Sequence, residues 1–217
     1  MSQLKLTADS GGGTVAIKAP ASTTGNAAID LTVPGTGSGT ILTTNSSVGK
    51  ILQVVSVYKG DRFTTSSTSF VDVTGLSITI TPTAANSKIL LQGSIHAGTR
   101  QSNLDHGGGI RTMRSIAGGT FSNDHKFNGL SDGSRDRITF RLASISYNAD
   151  HMTGGFGFCG VDDPSYSVGN AIVYKIQAVC QSSSYEVVVN GSSQNTNNGD
   201  IYAARSMSSL IAMEIAA

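Results

Sequence analysis

Short segments in which every second residue is apolar recur along this chain, and they constrain its fold more than any other feature. In the run FVDVTGLSITITP, Leu76, Ile78 and Ile80 alternate with polar residues, and Pro82 ends the pattern. Such a period of two places apolar side chains on one face of a β-strand, whereas an amphipathic helix needs a period near 3.6. No segment shows a convincing helical period over about ten residues or more. The sequence therefore predicts an all-β protein.

From Lys50 onward, turn residues separate about nine or ten predicted strands, of which ILQVVSVY at Ile51–Tyr58 is the clearest. The others are predicted at 70–73, 76–80, Lys88–Thr99, Gly109–Arg114, Ile138–Tyr147, Thr153–Val161, Ala171–Gln181, Tyr185–Asn190 and Ser208–Ile215. This spacing is typical of an antiparallel sandwich or jelly roll, not of alternating strand–helix units. Residues 50–217 are therefore predicted to form one jelly-roll-like knob, with the C-terminal segment as a buried strand.

Residues 1–49 differ from the rest, because short apolar alternations stand between Gly, Ser and Thr clusters. The alternating positions are Leu4, Leu6, Val15, Ile17, Ile29, Leu31 and Val33. Strands this short do not bury enough surface by themselves. We therefore expect an arm or stalk that packs on other copies or on another protein, with a flexible Gly/Ser linker as the alternative.

Charge is sparse, and this excludes several classes of protein. Only 13% of residues are charged and the net charge is +1, while 30 serines and 22 threonines supply the polarity. A disordered polyelectrolyte needs high net charge, and a general nucleic-acid binder needs a basic excess. No apolar run of about 18 residues predicts a membrane-spanning helix, and the N-terminus lacks the pattern of a secretory signal. Folding in a cytoplasm is the expectation.

A sandwich with few charges has poorly protected sheet edges. The regions 99–136 and 191–206 are also long, polar and glycine-rich, as in loops that pack against a partner. In a symmetric oligomer, neighbouring copies cover both the sheet edges and these loops. The sequence therefore predicts a homotrimer.

No pattern of catalytic or metal-binding residues stands out. The Asp-His pairs that end at His106 and His125 lack the spacing of a metal site, and Asp162-Asp163 and the run 195–200 match no calcium loop. The glycine runs Gly11–Gly13 and Gly107–Gly109 lack the Lys-Ser/Thr tail of a phosphate loop. There is no nucleophile elbow. The prediction is a protein without catalytic activity, metal or cofactor.

The two cysteines, Cys159 and Cys180, are too few for a disulfide framework. They are expected to be small buried hydrophobes in neighbouring strands.

Five arginines fall within one stretch, interleaved with Asp132 and Asp136. They are Arg111, Arg114, Arg135, Arg137 and Arg141. One interpretation is ion-paired strand edges or a subunit interface, and the other is recognition of an anionic cell-surface polysaccharide. Aromatic residues in or near loops would stack on sugar rings. The candidate receptor or glycan contacts are His106, Arg111, Arg114, Phe121, His125 and Tyr166.

The run GKILQVVSVYKGDRFTTSSTSFVDVTGLSITITPTAANSKILL, at 49–91, resembles the start of the C-terminal domain in many bacteriophage tail-fibre and related structural proteins, especially marine ones. The Ser-Phe-Val-Asp-Val-Thr-Gly-Leu stretch carries most of the likeness, and YKIQAVCQSSSYEVVVNGSSQNT and LIAMEIA fit the same outline. The resemblance implies a virion component, usually a homotrimeric β-rich fibre or knob that touches the host or decorates the particle.

The resulting hypothesis is a short trimeric fibre of a phage particle, assembled in the host cytoplasm. Residues 1–49 are expected to anchor it to other virion proteins, and residues 50–217 to bind host polysaccharide or protein. Neither nucleic-acid binding nor membrane insertion is expected. The alternatives are a capsid-decorating cement protein without receptor binding and a secreted carbohydrate-binding or hydrolytic module.

Overall fold

The computed structural model of the chain describes residues 3–7, 14–18, 50–100, 107–143, 153–197 and 199–217. The chain divides into two units, Met1–Ser46 and Ser47–Ala217. In the first unit, β1 (Gln3–Thr7) pairs antiparallel with β2 (Thr14–Lys18), so two of the short alternations predicted to be strands are strands. The third alternation, at 29–33, lies outside the described residues.

Ten strands form the described part of the second unit. They are β3 (Ile51–Lys59), β4 (Phe63–Thr65), β5 (Val71–Ile80), β6 (Lys88–Arg100), β7 (Gly107–Ile116), β8 (Phe140–Ala143), β9 (Gly154–Asp162), β10 (Ile172–Cys180), β11 (Glu186–Val189) and β12 (Ser208–Ile215). Within the described ranges, the only helical element is a 3-10 turn at Ile201–Ala203. All of these strand pairs are antiparallel. The predicted all-β fold is confirmed.

The strand order is that of a jelly roll. One sheet runs β5-β10-β7-β8, and the other contains β3-β12-β6 with β9 on the far side of β6. When the eight main strands are counted along the chain without β4 and β11, the two sheets read 2-7-4-5 and 1-8-3-6, the order that two Greek keys produce. The short strands β4 and β11 continue the second sheet beyond the end of β12. The predicted jelly-roll-like sandwich is therefore confirmed.

The core lies between the two sheets, where the apolar sides of the alternating strands meet. Its largest fully buried side chains include Leu76, Ile80, Ile89, Leu91, Ile95, Ile110, Ile172, Tyr174, Ile176 and Leu210. In β12, Leu210 and Ala212 are buried and their sequence neighbours Ile211 and Met213 are half-buried on the opposite side. The C-terminal segment is thus a central strand with one face in the core, as predicted.

The two strands predicted at 70–73 and 76–80 are one strand, β5, which begins at Val71. Gly75, at φ 85°, lies in the middle of it, in a conformation that only glycine adopts without strain. Two positions along β10, from Lys175 to Gln177, correspond to five along β5, from Ser77 to Asp72, so β5 has three extra residues here and both Val73 and Leu76 point into the core. The register with β10 shifts at the same place, between Lys175 and Gln177.

Two further strands differ in extent from the predictions. The strand predicted at Gly109–Arg114 extends over all of β7. This places part of the expected 99–136 loop inside the sandwich. The strand predicted at Ile138–Tyr147 is limited to β8 within the described residues, and its positions from 144 onward lie outside them.

The prediction for the cysteines is wrong at one of the two positions. Cys180 is buried in β10, but Cys159 is exposed on β9, and these strands belong to different sheets. Phe156 and Phe158 pack against the core, so the period of two turns residue 159 outward.

Candidate functional site

The outer surface of the four-stranded sheet carries a connected set of polar side chains. Asp72 on β5, Gln177 on β10 and Arg111 on β7 are direct cross-strand neighbours. Gln177 Nε2 donates to Asp72 Oδ1 at 2.7 Å, and Arg111 Nε donates to Gln177 Oε1 at 2.8 Å. Lys175 Nζ donates to Asp72 Oδ2 at 2.8 Å. These hydrogen bonds hold four long side chains in fixed positions across three strands.

An aromatic ring lies at each end of this set. The Arg111 guanidinium carbon is 3.7 Å from the centroid of Phe70, which directly precedes β5. Lys175 Nζ is 3.8 Å from the centroid of Phe121, in the segment after β7. Both are cation–π contacts, and they fix the orientation of each ring. We call this surface the polar face, and it consists of Phe121, Lys175, Asp72, Gln177, Arg111 and Phe70.

The charges on the polar face nearly balance. Burial raises the pKa of Asp72, but the hydrogen bonds from Lys175 and Gln177 outweigh it and lower the pKa overall. Burial lowers the pKa of Arg111, while the nearby carboxylates of Asp136 and Asp72 oppose that change. The two cations of the polar face, Lys175 and Arg111, therefore stand beside its one carboxylate, Asp72, and the carboxylate of Asp136 lies near Arg111 outside this set. Such a surface suits a ligand that presents hydroxyl groups better than it suits a polyanion.

A cleft of about 350 Å³ adjoins the Phe70 end of the polar face. Its lining includes Phe70, Asp136, Ile138, Val179 and the glycines of β7. A Cβ atom at Gly109 would lie 3.3 Å from side-chain atoms of Ile138 and Val179, so the missing side chain keeps this part of the cleft open. The cleft is at the lower end of the volume range of small-molecule sites.

The other two glycines at the start of β7 allow close strand packing. A Cβ atom at Gly107 would lie 2.3 Å from the Leu142 carbonyl oxygen, and one at Gly108 would lie 2.4 Å from Val187 Cγ2. Both positions therefore exclude any side chain.

A second cleft, of about 660 Å³, lies beside β4 and β11. Its lining is mainly hydroxyl side chains, and it consists of Thr64, Thr65, Ser66, Ser67, Arg100, Ser184, Tyr185 and Glu186. Besides the hydroxyl groups, this lining includes one cation, Arg100, one carboxylate, Glu186, and one ring, Tyr185.

Two of the predicted contact residues, Arg111 and Phe121, belong to the polar face, whereas Arg114 and His125 lie in the interior. Arg114 Nη1 donates to the buried Asp162 at 2.6 Å. His125 is 7% exposed and packs against Phe127, with ring centroids 5.3 Å apart. Burial lowers the pKa of His125 to about 4, despite the opposing effect of the Asp162 carboxylate. The ring is therefore neutral near neutral pH.

The remaining two predicted contacts have other positions. The hydroxyl of Tyr166 donates to the carbonyl oxygens of Ala84 and Ser87, at 2.8 and 3.2 Å, so this ring fastens the loop after β9 to the turn before β6. His106 lies outside the described residues.

Three other members of the polar face were not identified from the sequence: Asp72, Lys175 and Gln177. Asp72 is about 100 residues away from Lys175 and Gln177 in the chain, so no local sequence pattern indicates that these side chains meet. Phe70 was noted only as a strand residue. One feature of the sequence does indicate the outward position of Asp72. It is the alternation of apolar and polar residues in β5, which places Asp72 on the side opposite Val73.

The other arginines of the cluster mostly have carboxylate partners. Arg135 binds Asp132 and Arg137 binds Asp124, each at 2.6 Å. Together with Arg114 and Asp162, these pairs agree with the ion-paired interpretation of the cluster for the described residues.

Within the described ranges, no group of three or more histidine, cysteine, aspartate or glutamate side chains is placed to hold a metal ion. In the same part of the chain, no helix has the length and apolarity needed to cross a bilayer.

The sequence matches no protein family and no curated protein. Among solved structures, it is similar to a chain in the structure of the infectious bursal disease virus Gx strain, with 13% identity and a TM-score of 0.24. The match covers 85% of this chain and 42% of that one, so this chain spans about two fifths of its length.

Proposed function

We propose that this chain is a surface protein of a bacteriophage particle, in which the jelly roll binds carbohydrate on the host cell through the polar face. Residues 1–49 attach it to other virion proteins, and three copies form a short fibre. The sequence resemblance over 49–91 supports the viral setting. The fold agrees with it, since jelly rolls occur in viral capsid and lectin domains, but a fold alone does not assign a function.

The observation that carries the binding proposal is the unbroken series of contacts from Phe121 through Lys175, Asp72, Gln177 and Arg111 to Phe70. A sugar ring presents an apolar C–H surface and a rim of hydroxyl groups. Aromatic rings suit the first, and planar amide, carboxylate and guanidinium groups suit the second. Because the side chains already hold one another, little conformational entropy is lost when a ligand binds.

The near balance of charge favours a neutral polysaccharide over an anionic one. The polar face of a single copy binds weakly, because it is open to solvent and its polar groups already form hydrogen bonds with one another. Three faces on one fibre, and many fibres on one particle, raise the effective concentration at a repeating polymer. Weak single contacts then produce firm attachment.

A glycan array of neutral and anionic bacterial polysaccharides tests this proposal with the full chain. Phe121→Ala and Gln177→Ala are expected to lower binding at least tenfold, with neutral glycans preferred. Ser66→Ala, in the second cleft, is the matched control and should bind like the unchanged protein. The proposal fails if the polar-face variants bind normally, or if binding is lost only in the control.

Two measurements on particles test the rest. Deletion of residues 1–49 is expected to abolish incorporation, since the arm provides the attachment. Quantitative mass spectrometry gives the copy number, and dozens to hundreds of copies with no glycan binding would support a capsid-decorating cement protein instead. Turnover of a bound glycan would support the hydrolytic module.

A further inference from the structure

The cleft at the Phe70 end continues the polar face along the same two strands. In the register of β10 and β7, Gln177 lies opposite Arg111, and Val179 lies opposite Gly109. Val179 and Gly109 both line the cleft. Two residues along an antiparallel strand span about 7 Å, so this part of the cleft is the next outward row of the sheet. A ligand bound on the polar face therefore lies beside the opening of the cleft.

The floor of the cleft, which consists of Val179, Gly109 and Ile138, is apolar. Val179 is half-buried on the outward side of β10, in the same alternation as Lys175 and Gln177. The side chains of Val179 and Ile138 both border the space in which Gly109 has no side chain. The floor offers no hydrogen-bonding side chain, so a hydroxyl group that entered it would lose its water without gaining a partner. A methyl group gains from entering the same space, because it leaves water.

The rim of the cleft carries both kinds of hydrogen-bonding group. Asp136 is exposed, lines the cleft and lies near Arg111. Arg141 and Gln181 are also exposed members of the lining. A carboxylate accepts hydrogen bonds, a guanidinium donates them, and an amide side chain does both. The rim therefore suits a group that is itself both a donor and an acceptor.

An acetamido group matches this cleft in each of its parts. Its methyl group suits the apolar floor, its N–H suits the carboxylate of Asp136, and its carbonyl oxygen suits Arg141 or Gln181. It is also uncharged, as a lining with one carboxylate and one guanidinium requires. A carboxylate substituent would meet Asp136 and an ammonium substituent would meet Arg141, and both contacts between like charges are unfavourable.

We infer that the cleft holds the acetamido group of a bound sugar, so that the jelly roll selects neutral polysaccharides that contain N-acetylated sugars. This inference rests on the proposed function, because the sugar ring itself lies on the polar face. Phe70 belongs to both surfaces, since its ring contacts the Arg111 guanidinium and also lines the cleft. It therefore orients the sugar ring relative to the cleft.

Titration of the full chain with two matched oligosaccharides tests this inference. A chito-oligosaccharide and a cello-oligosaccharide of equal length differ only in that the first has an acetamido group in place of one hydroxyl group on each ring. The unchanged chain is expected to bind the chito-oligosaccharide about tenfold more tightly, since a fitting apolar pocket gives discrimination of this order for a small apolar group.

Two variants change the floor of the cleft. Val179→Thr keeps the shape of the side chain but places a hydroxyl group in the floor, and Gly109→Ala fills part of it. Both are expected to lose most of the preference for the chito-oligosaccharide. Val173→Thr is the matched control, because Val173 is half-buried on the same outward side of β10 but is not part of the cleft lining, and it should keep the preference. Thermal unfolding shows which variants are folded, and if Gly109→Ala is not, Val179→Thr decides.

The outcomes distinguish this inference from the proposal that it rests on. Equal binding of the two oligosaccharides by the unchanged chain, or binding of neither, overturns the acetamido site. So does a preference that persists in folded Val179→Thr, or one that Val173→Thr loses to the same extent. In each of these cases the proposed function still stands if the glycan array shows binding that depends on Phe121 and Gln177. An array on which no glycan binds overturns both.

Discussion

Arg114 Nη1 donates to Asp162 Oδ2 at 2.6 Å, and this ion pair joins β7 of one sheet to the last residue of β9 in the other. The hydroxyl of Tyr174 donates to the same oxygen at 2.7 Å. Asp162 is 2% exposed, so these two donors replace the water that an exposed carboxylate would bind. The pair therefore links the two sheets of the sandwich through its interior.

Removal of this buried carboxylate is expected to be costly. Asp162→Ala leaves the Arg114 charge and the Tyr174 hydroxyl without their acceptor, and a loss of about 3–5 kcal/mol is typical when one partner of a buried pair is removed. Urea denaturation measures the free energy of unfolding. Asp163→Ala is the control, because its carboxylate is exposed and 3.9 Å from Lys88, and it should change stability by less than about 1 kcal/mol. Equal effects of the two substitutions would contradict the assignment.

His125 is expected to make stability depend on pH between about 6.5 and 4. Burial lowers the folded-state pKa to about 4, below the unfolded value near 6.5, so the unfolded chain takes up a proton first as the pH falls. The neutral His125 therefore contributes about 3 kcal/mol to the free energy of unfolding above pH 6.5, and this contribution is lost as the pH falls towards 4. Denaturation midpoints across this window measure it. In His125→Gln the slope should largely disappear, whereas His96→Gln, on the outward side of β6, should retain it.

Glu214 organises the turn between β5 and β6. Its buried carboxylate accepts hydrogen bonds from the backbone of Thr83 and Ala84 and from the side chains of Ser87 and Gln53, at 2.7–3.1 Å. Burial raises the pKa of Glu214, but these donors outweigh it and lower the pKa overall.

The neutral variant Glu214→Gln replaces one acceptor oxygen with a donor that faces other donors. We expect a loss of about 2–4 kcal/mol in chemical denaturation. Glu186→Gln is the comparison, since that carboxylate is 26% exposed and 3.5 Å from Arg62, and it should cost less than about 1 kcal/mol. A Glu214→Gln variant as stable as the unchanged chain would show that the turn does not need the charge.

Gly93 is expected to tolerate no side chain. The ring of Phe158, its cross-strand neighbour on β9, lies over it, and a Cβ atom would be 2.1 Å from Phe158 Cε1. Because Phe158 is itself packed against the core, Gly93→Ala should cost about 1–3 kcal/mol in thermal or urea unfolding. At Gly60 an added Cβ atom meets nothing within 4 Å, so Gly60→Ala should be nearly neutral. Similar melting temperatures for the two variants would contradict this packing.

Local alternation in the sequence was sufficient to predict the strands and the all-β class. A strand places successive side chains on opposite sides whatever it pairs with, so Leu76, Ile78 and Ile80 specify their own buried side. The same rule predicted the buried side of β12 and the short strands β1 and β2. The irregularity at Gly75 was not predicted, because an odd number of extra residues interrupts the alternation and resembles a break between strands.

Only the tertiary structure determined which distant residues lie next to one another. Asp72 and Gln177 are 105 residues apart in the chain, and Thr83 and Glu214 are 131 apart, so no local pattern indicates that they meet. The order of strands placed Arg111 on the outer polar face and Arg114, three positions later, against Asp162 in the interior. The sequence determined which side each strand would bury, because that depends on neighbouring residues. The pairing of distant strands determined the polar face, because sheet packing brings together residues that the chain itself keeps apart.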